Sequence, residues 1–161
     1  TAEAVKRTAL TGNETETKLM HTERFILSLL CVDNSIYKTL KEHFNINMFS
    51  DEENKKIAGI IFNQLQERKD FTPAELMNIV SDEQTGDFAR ILNEECYCDD
   101  NVKAILGKIR DIDILKNEMR QKEILELLKD ESKLSEGDVD ILKQEMKDLT
   151  LKMKDIKKMP L

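Results

Sequence analysis

The chain has no tryptophan, two prolines, five glycines and two tyrosines. Turn punctuation that sparse excludes an all-β sandwich or barrel. No apolar run approaches the roughly 18 residues of a membrane span. No basic start feeds an apolar stretch, so no signal peptide is expected. A basic excess is also missing: 25 Lys and Arg face 32 Asp and Glu, a formal net charge of −7. A general nucleic-acid binder needs a basic field to displace counterions from phosphates, so direct nucleic-acid binding is not expected. With six phenylalanines and two tyrosines, platforms for stacking bases are thin as well. The three cysteines cannot pair off completely and read as reduced thiols. These absences point to a soluble, cytoplasmic, mostly helical chain of about one domain. Its start on Thr1 rather than methionine suggests a piece of something longer.

Signatures of catalysis are missing too. The sequence contains no glycine-rich phosphate loop, no Gly-x-Ser-x-Gly elbow and no paired-histidine metal motif. His21 and His43 sit in unrelated patterns and read as surface or partly buried side chains. Cys96-Tyr97-Cys98-Asp99-Asp100 looks most like a ligand set, but structural zinc wants two to four residues between paired cysteines and a second pair elsewhere. Here one residue intervenes, and only Cys31 could join. The bland reading is a thiol-bearing loop in which Asp99 or Asp100 caps the following helix. Asp111 and Asp113 fall two apart in a helical pattern and point to opposite sides. Lys152, Lys154, Lys157 and Lys158 read as a solvated helix end, where cations are favoured. The expectation is no catalytic residue, no cofactor and no metal in this chain.

What is present is helical periodicity. Residues 1–18 hold the polar run Thr11-Gly12-Asn13-Glu14-Thr15-Glu16-Thr17, nearly free of apolar periodicity, and read as a linker tail. From Leu19 the apolar positions Phe25, Ile26, Leu29 and Leu30 recur at helical spacing. Asp33-Asn34-Ser35 breaks that helix and starts another carrying Ile36, Tyr37, Leu40 and Phe44. Ser50-Asp51-Glu52-Glu53 predicts a capping box with Ser50 as the cap, opening a helix that buries Ile57, Ile60, Ile61 and Leu65. Thr72-Pro73-Ala74-Glu75 repeats the device with proline at the first helical position. Ser81 with Gln84 opens a helix carrying Phe88, Ile91 and Leu92. Short helices on short loops predict a compact all-α bundle over 19–98.

Composition changes after Tyr97, beyond which no aromatic residue occurs. Val102, Ile105, Ile109 and Ile112, then Leu115, Met119, Leu125 and Leu128, predict one long helix. After a break at Lys133-Leu134-Ser135-Glu136-Gly137, a last helix carries Val139, Leu142, Met146, Leu149, Met153 and Ile156 at spacings of three and four. Residues 99–161 therefore read as a long helix and C-terminal helical hairpin, too narrow to hold much core. Met146 and Met153 pack the seam, and methionine also suits adaptable partner surfaces.

The run Thr22-Glu23-Arg24-Phe25-Ile26-Leu27-Ser28-Leu29-Leu30, then Asp33-Asn34, Phe49 and the helix to Leu65, resembles a fold shared by two replication proteins. One is the C-terminal helicase-binding domain of bacterial DNA primase; the other is the N-terminal domain of the replicative DNA helicase. Leu134-Ser135-Glu136-Gly137-Asp138 with the charged helix behind it, and the long helix from Asp99, look more like the primase. The resemblance spans roughly residues 19–158 and rests on apolar patterns and break positions. It implies a bundle, a long helix and a terminal hairpin that docks on the N-terminal collar of the hexameric helicase. Primer synthesis, with its zinc and magnesium, would belong to other parts of the primase, leaving this piece non-catalytic. It would then act in the bacterial cytoplasm at the replication fork, monomeric in isolation. The alternatives are the helicase N-terminal domain itself or an unrelated helical adaptor. The expected docking residues are Ile141, Leu142, Met146, Leu149, Leu151 and Met153. Ile141, Leu151 and Met159 are apolar positions off the seam.

Overall fold

In the computed structural model, residues 13–67 and 69–160 are described. Among them are seven α-helices and no strand: α1 Asn13–Val32, α2 Ser35–Thr39, α3 Glu52–Gln66, α4 Pro73–Ile79, α5 Asp82–Leu92, α6 Asn101–Leu128 and α7 Glu136–Lys158. The fold is all-α, as the periodicity predicts. Contacts divide the described chain into two compact units, 19–112 and 13–18 with 113–160. The sequence reading put the division at 98/99. The difference is the start of α6, whose Ile105 and Ile112 are buried and whose Lys108 ammonium lies 4.8 Å from the Phe25 ring centroid, a cation–π contact.

The expected linker tail needs a correction. Residues 1–12 lie outside the described residues, but helix α1 is already formed at Asn13. Glu14 and Glu16 occupy its first turn, where carboxylates complement the helix dipole. Thr15 is buried one turn before buried Leu19. A threonine filling an apolar position leaves no periodicity to read.

In the unit 19–112, Ile26, Leu27, Leu29 and Leu30 of α1 are buried together with Ile57, Ala58, Ile61, Phe62 and Leu65 of α3. Leu76, Phe88 and Ile91 add the apolar sides of α4 and α5, and α3 packs against α5. Ile60, expected in the core, is only half-buried, whereas Phe62 is buried. Its ring lies 5.7 Å from those of Tyr37 and Phe44 and 5.8 Å from Phe49, within the range of attractive aromatic contacts. The helix expected from Ile36 to Phe44 stops at Thr39 and gives way to a 3-10 turn at Lys41–His43. That lets Phe44 stack on Tyr37 with planes 8° apart.

The helix starts follow local chemistry, with one shift of position. The α3 cap is Asp51, whose carboxylate accepts the Asn54 N–H at 3.0 Å. Ser50, expected as the cap, lies one residue before it, and the N–H groups of Ser50 and Asp51 both donate to the buried Glu23 carboxylate, at 2.9 and 3.2 Å. Thr72 caps α4 through the Glu75 N–H at 3.2 Å. At α5, Gln84 reaches back to accept the Ser81 N–H at 3.2 Å. Asp100 takes the Lys103 N–H at 3.1 Å at the start of α6. Ser135 takes the Asp138 N–H at 3.1 Å at the start of α7.

The unit containing 113–160 is a helical hairpin. Asn117 Nδ2 donates to the Leu149 carbonyl at 3.2 Å, and Arg120 forks onto Glu145 with contacts of 2.7 and 3.0 Å. Lys143 lies 3.6 Å from Glu131 near the turn. Later residues of α6 thus meet earlier residues of α7, and the two run antiparallel. Ile124 is fully buried while Leu125, expected on the seam, is 51 % exposed. Helical steps from Asn117 reach 120, 121 and 124 rather than 125, so Ile124 holds the seam.

Candidate functional site

The expected docking residues all lie on α7, and the structure separates them by face. Met153 is buried, as is Val139. Leu142, Met146, Leu149 and Ile156 are half-buried along the side turned to α6. Ile141 and Leu151 are different: they are 65 % and 57 % exposed, and Met159 is exposed too. A step of roughly 100° per residue puts Leu151 opposite the seam and Ile141 on its flank. Helix α7 therefore turns a continuous apolar stripe to α6 and leaves Ile141 and Leu151 in water, as Leu125 is left on α6.

Two polar ties hold α7 in register. Asn117 is buried, and its Nδ2 spends itself on the Leu149 carbonyl while its Oδ1 has no hydrogen-bond partner among the described residues. A half-satisfied amide in an apolar seam costs stability but fixes alignment. Arg120 also contacts Glu123 at 3.0 Å. Hydrogen bonding from Arg120 holds the Glu145 carboxyl below its ordinary value, and the Glu145 contact raises Arg120 in turn. None of these residues was singled out in the sequence. Asn117 could have been, as the polar break in the α6 apolar stripe.

The cysteine loop forms a second cluster. Cys31 is buried on α1, and its thiol is pushed up to about 12, first by burial and then by the charge of Cys96. Cys96 Sγ lies 3.6 Å from Ser28 Oγ. Cys98 is exposed and donates to Asn101 Oδ1 at 3.0 Å. Its thiol is raised by desolvation, with Cys96, Asp99 and Asp100 adding to the effect, so little thiolate forms near neutral pH. Asn101 turns its Nδ2 to Asp33 Oδ2 at 3.1 Å, while Asn34 Oδ1 accepts the Phe71 N–H at 2.7 Å. The Asp33-Asn34 break thereby ties the end of α1 to two other segments. Tyr97, between the cysteines, is 98 % exposed.

Among the described residues, no group of three or more His, Cys, Asp and Glu side chains is placed to hold a metal ion. His21 is paired through Nδ1 with Glu94 Oε1 at 2.9 Å, and His43 stands exposed in its 3-10 turn. Asp113 is exposed and Asp111 half-buried. Lys152, Lys154, Lys157 and Lys158 are all exposed. No described helix is long and apolar enough to cross a membrane. Comparison with protein-family models, with curated proteins and with solved structures finds no match for the chain.

Proposed function

We propose that this chain is a non-catalytic docking domain of a bacterial DNA primase, joining primase to the collar of the hexameric replicative helicase. In this reading unwinding and primer synthesis are coupled through the hairpin, and the polymerase chemistry belongs to other parts of the primase. The observation that carries the reading is Leu151, an aliphatic side chain 57 % exposed on the side of α7 away from the seam. Exposed Ile141 adds to it. Large aliphatic side chains on a helix face are the anchors of helix-in-groove recognition, and a few central anchors dominate such interfaces. The resemblance of the sequence patterns to the primase domain supplies the identity of the partner.

The reading divides the six docking residues by role. Ile141 and Leu151 meet the partner. Leu142, Met146, Leu149 and Met153 brace them from the seam, because a side chain packed toward α6 reaches a partner only if the hairpin opens. The test is a pull-down in which immobilised cognate replicative helicase is offered the chain. Retention of the chain supports the reading. No retention, with the chain folded by circular dichroism, rejects it.

A further inference from the structure

The outward side of α7 carries a pattern that the seam does not use. On a helix, the surface neighbours of Leu151 are the residues three and four positions away. These are Lys147 and Asp148 before it, and Lys154 and Asp155 after it. The same Lys-Asp pair occurs twice, one heptad apart, with Leu151 midway. At roughly 100° per residue, Lys147 and Lys154 line one flank of Leu151, and Asp148 and Asp155 line the other. Lys158 stands one heptad after Leu151 and in line with it, and Ile141 stands one heptad before Asp148 at the head of the aspartate row.

All four framing side chains are exposed. Among the described residues Lys147, Lys154 and Asp155 enter no ion pair, and Asp148 accepts a hydrogen bond from Gln144 at 3.0 Å. An apolar centre ringed by charge is the layout of an interface anchor with its water-excluding rim. Here the rim is polarised, positive along one side and negative along the other.

We infer that this face takes an α-helical segment of the partner whose apolar side chain covers Leu151. That segment sets carboxylates against the lysine row and arginines or lysines against the aspartate row. The inference rests on the docking reading above and adds to it the chemistry of the partner surface. A second copy of this chain does not fit. Antiparallel two-fold pairing lays lysine row on lysine row; parallel pairing sets lysines against aspartates but brings Asp140 onto Asp140 and Lys158 onto Lys158 at the midline of the contact. Opposed potentials steer association and fix register.

The experiment exchanges the two rows in the full chain: Lys147→Asp, Asp148→Lys, Lys154→Asp and Asp155→Lys together. Composition and net charge stay the same, and only the polarity of the rim inverts. Affinity for the cognate hexameric helicase is measured alongside helicity, for this variant, for Leu151→Asp and for the unaltered chain. The expected result is about tenfold or greater weakening in both variants. If the unaltered chain binds and the exchanged one binds equally well, the polarised rim is wrong and the docking reading stands. If the unaltered chain does not bind at all, both fall. A salt titration of the unaltered chain needs no variant: opposed charge rows must weaken in affinity as salt screens them, and a salt-independent affinity overturns the inference.

Discussion

The buried carboxylate of Glu23 accepts the backbone N–H of Ser50 at 2.9 Å and that of Asp51 at 3.2 Å, so that α1 holds the start of α3. Asn54 Nδ2 adds a third donor at 3.3 Å and also binds the Met20 carbonyl at 3.2 Å. Removing the acceptor strands buried donors, so Glu23→Ala is expected to cost about 2–4 kcal/mol. Glu23→Gln keeps an acceptor oxygen and should cost about 1 kcal/mol. Chemical denaturation of the two variants checks the order, and equal losses would contradict the account.

The same residue gives a pH dependence of definite sign. Burial raises the Glu23 carboxyl above its ordinary value of 4.5, outweighing the lowering by Ser50, Asp51 and Asn54. The folded state then holds the proton more tightly than the unfolded state. The stabilisation is fully present below 4.5 and is lost as pH rises through the folded value. Relative to Glu23→Gln, the unaltered protein should therefore gain stability on acidification toward 4.5. A gap that moves the other way contradicts this.

Asn117 is expected to be a site of easy stabilisation. Asn117→Leu replaces a buried amide whose Oδ1 is unsatisfied, and the hairpin should gain about 1 kcal/mol. The gain should come with looser register, read as broader amide resonances in residues 113–160. A clear drop in melting temperature would show that the Leu149 contact matters more than the orphaned oxygen.

Arg120 and Glu145 are each about a third exposed, so their forked contact is worth less than its geometry suggests. A double-mutant cycle with Arg120→Ala and Glu145→Ala should give a coupling under about 1 kcal/mol. Glu145 is held below its ordinary value by Arg120. Its contribution is present above the ordinary value of 4.5 and lost as pH falls through the lowered one. A coupling that persists unchanged into strong acid contradicts the pairing.

Thiol labelling should order the cysteines by accessibility. Cys98 is exposed and reacts first, though more slowly than a free cysteine because its thiol is raised. Cys31 is buried with a thiol pushed up to about 12, and should resist alkylation until the bundle unfolds. Elemental analysis should find metal far below one equivalent. Stoichiometric zinc whose removal costs helicity would contradict the reading of these cysteines.

The all-α class was legible because apolar side chains at helical spacing, such as Ile57, Ile61 and Leu65, bury one side of a helix whatever their partners. Thr72-Pro73 and Ser81 with Gln84 were legible because a cap acts on its own backbone. The hold of Glu23 on the N–H groups of Ser50 and Asp51 was not, since Glu23 lies 27 and 28 residues earlier. A buried glutamate carries no pattern until its donors are known. Ile124 and Leu125 are adjacent, and only the register fixed by Asn117 and Arg120 decides which faces α7. On α7 itself, exposed Leu151 was legible from spacing. The charged frame around it shows once the seam fixes which side points outward.

The central claim is that α7 is the surface through which this chain meets the helicase. The most direct measurement is the affinity of the cognate hexameric helicase for three forms of the chain: intact, Leu151→Asp, and lacking residues 136–161. The account predicts binding by the intact chain, marked weakening by Leu151→Asp with helicity kept, and none by the shortened form. Equal binding by the shortened and intact forms would contradict it and move the contact to residues 19–112.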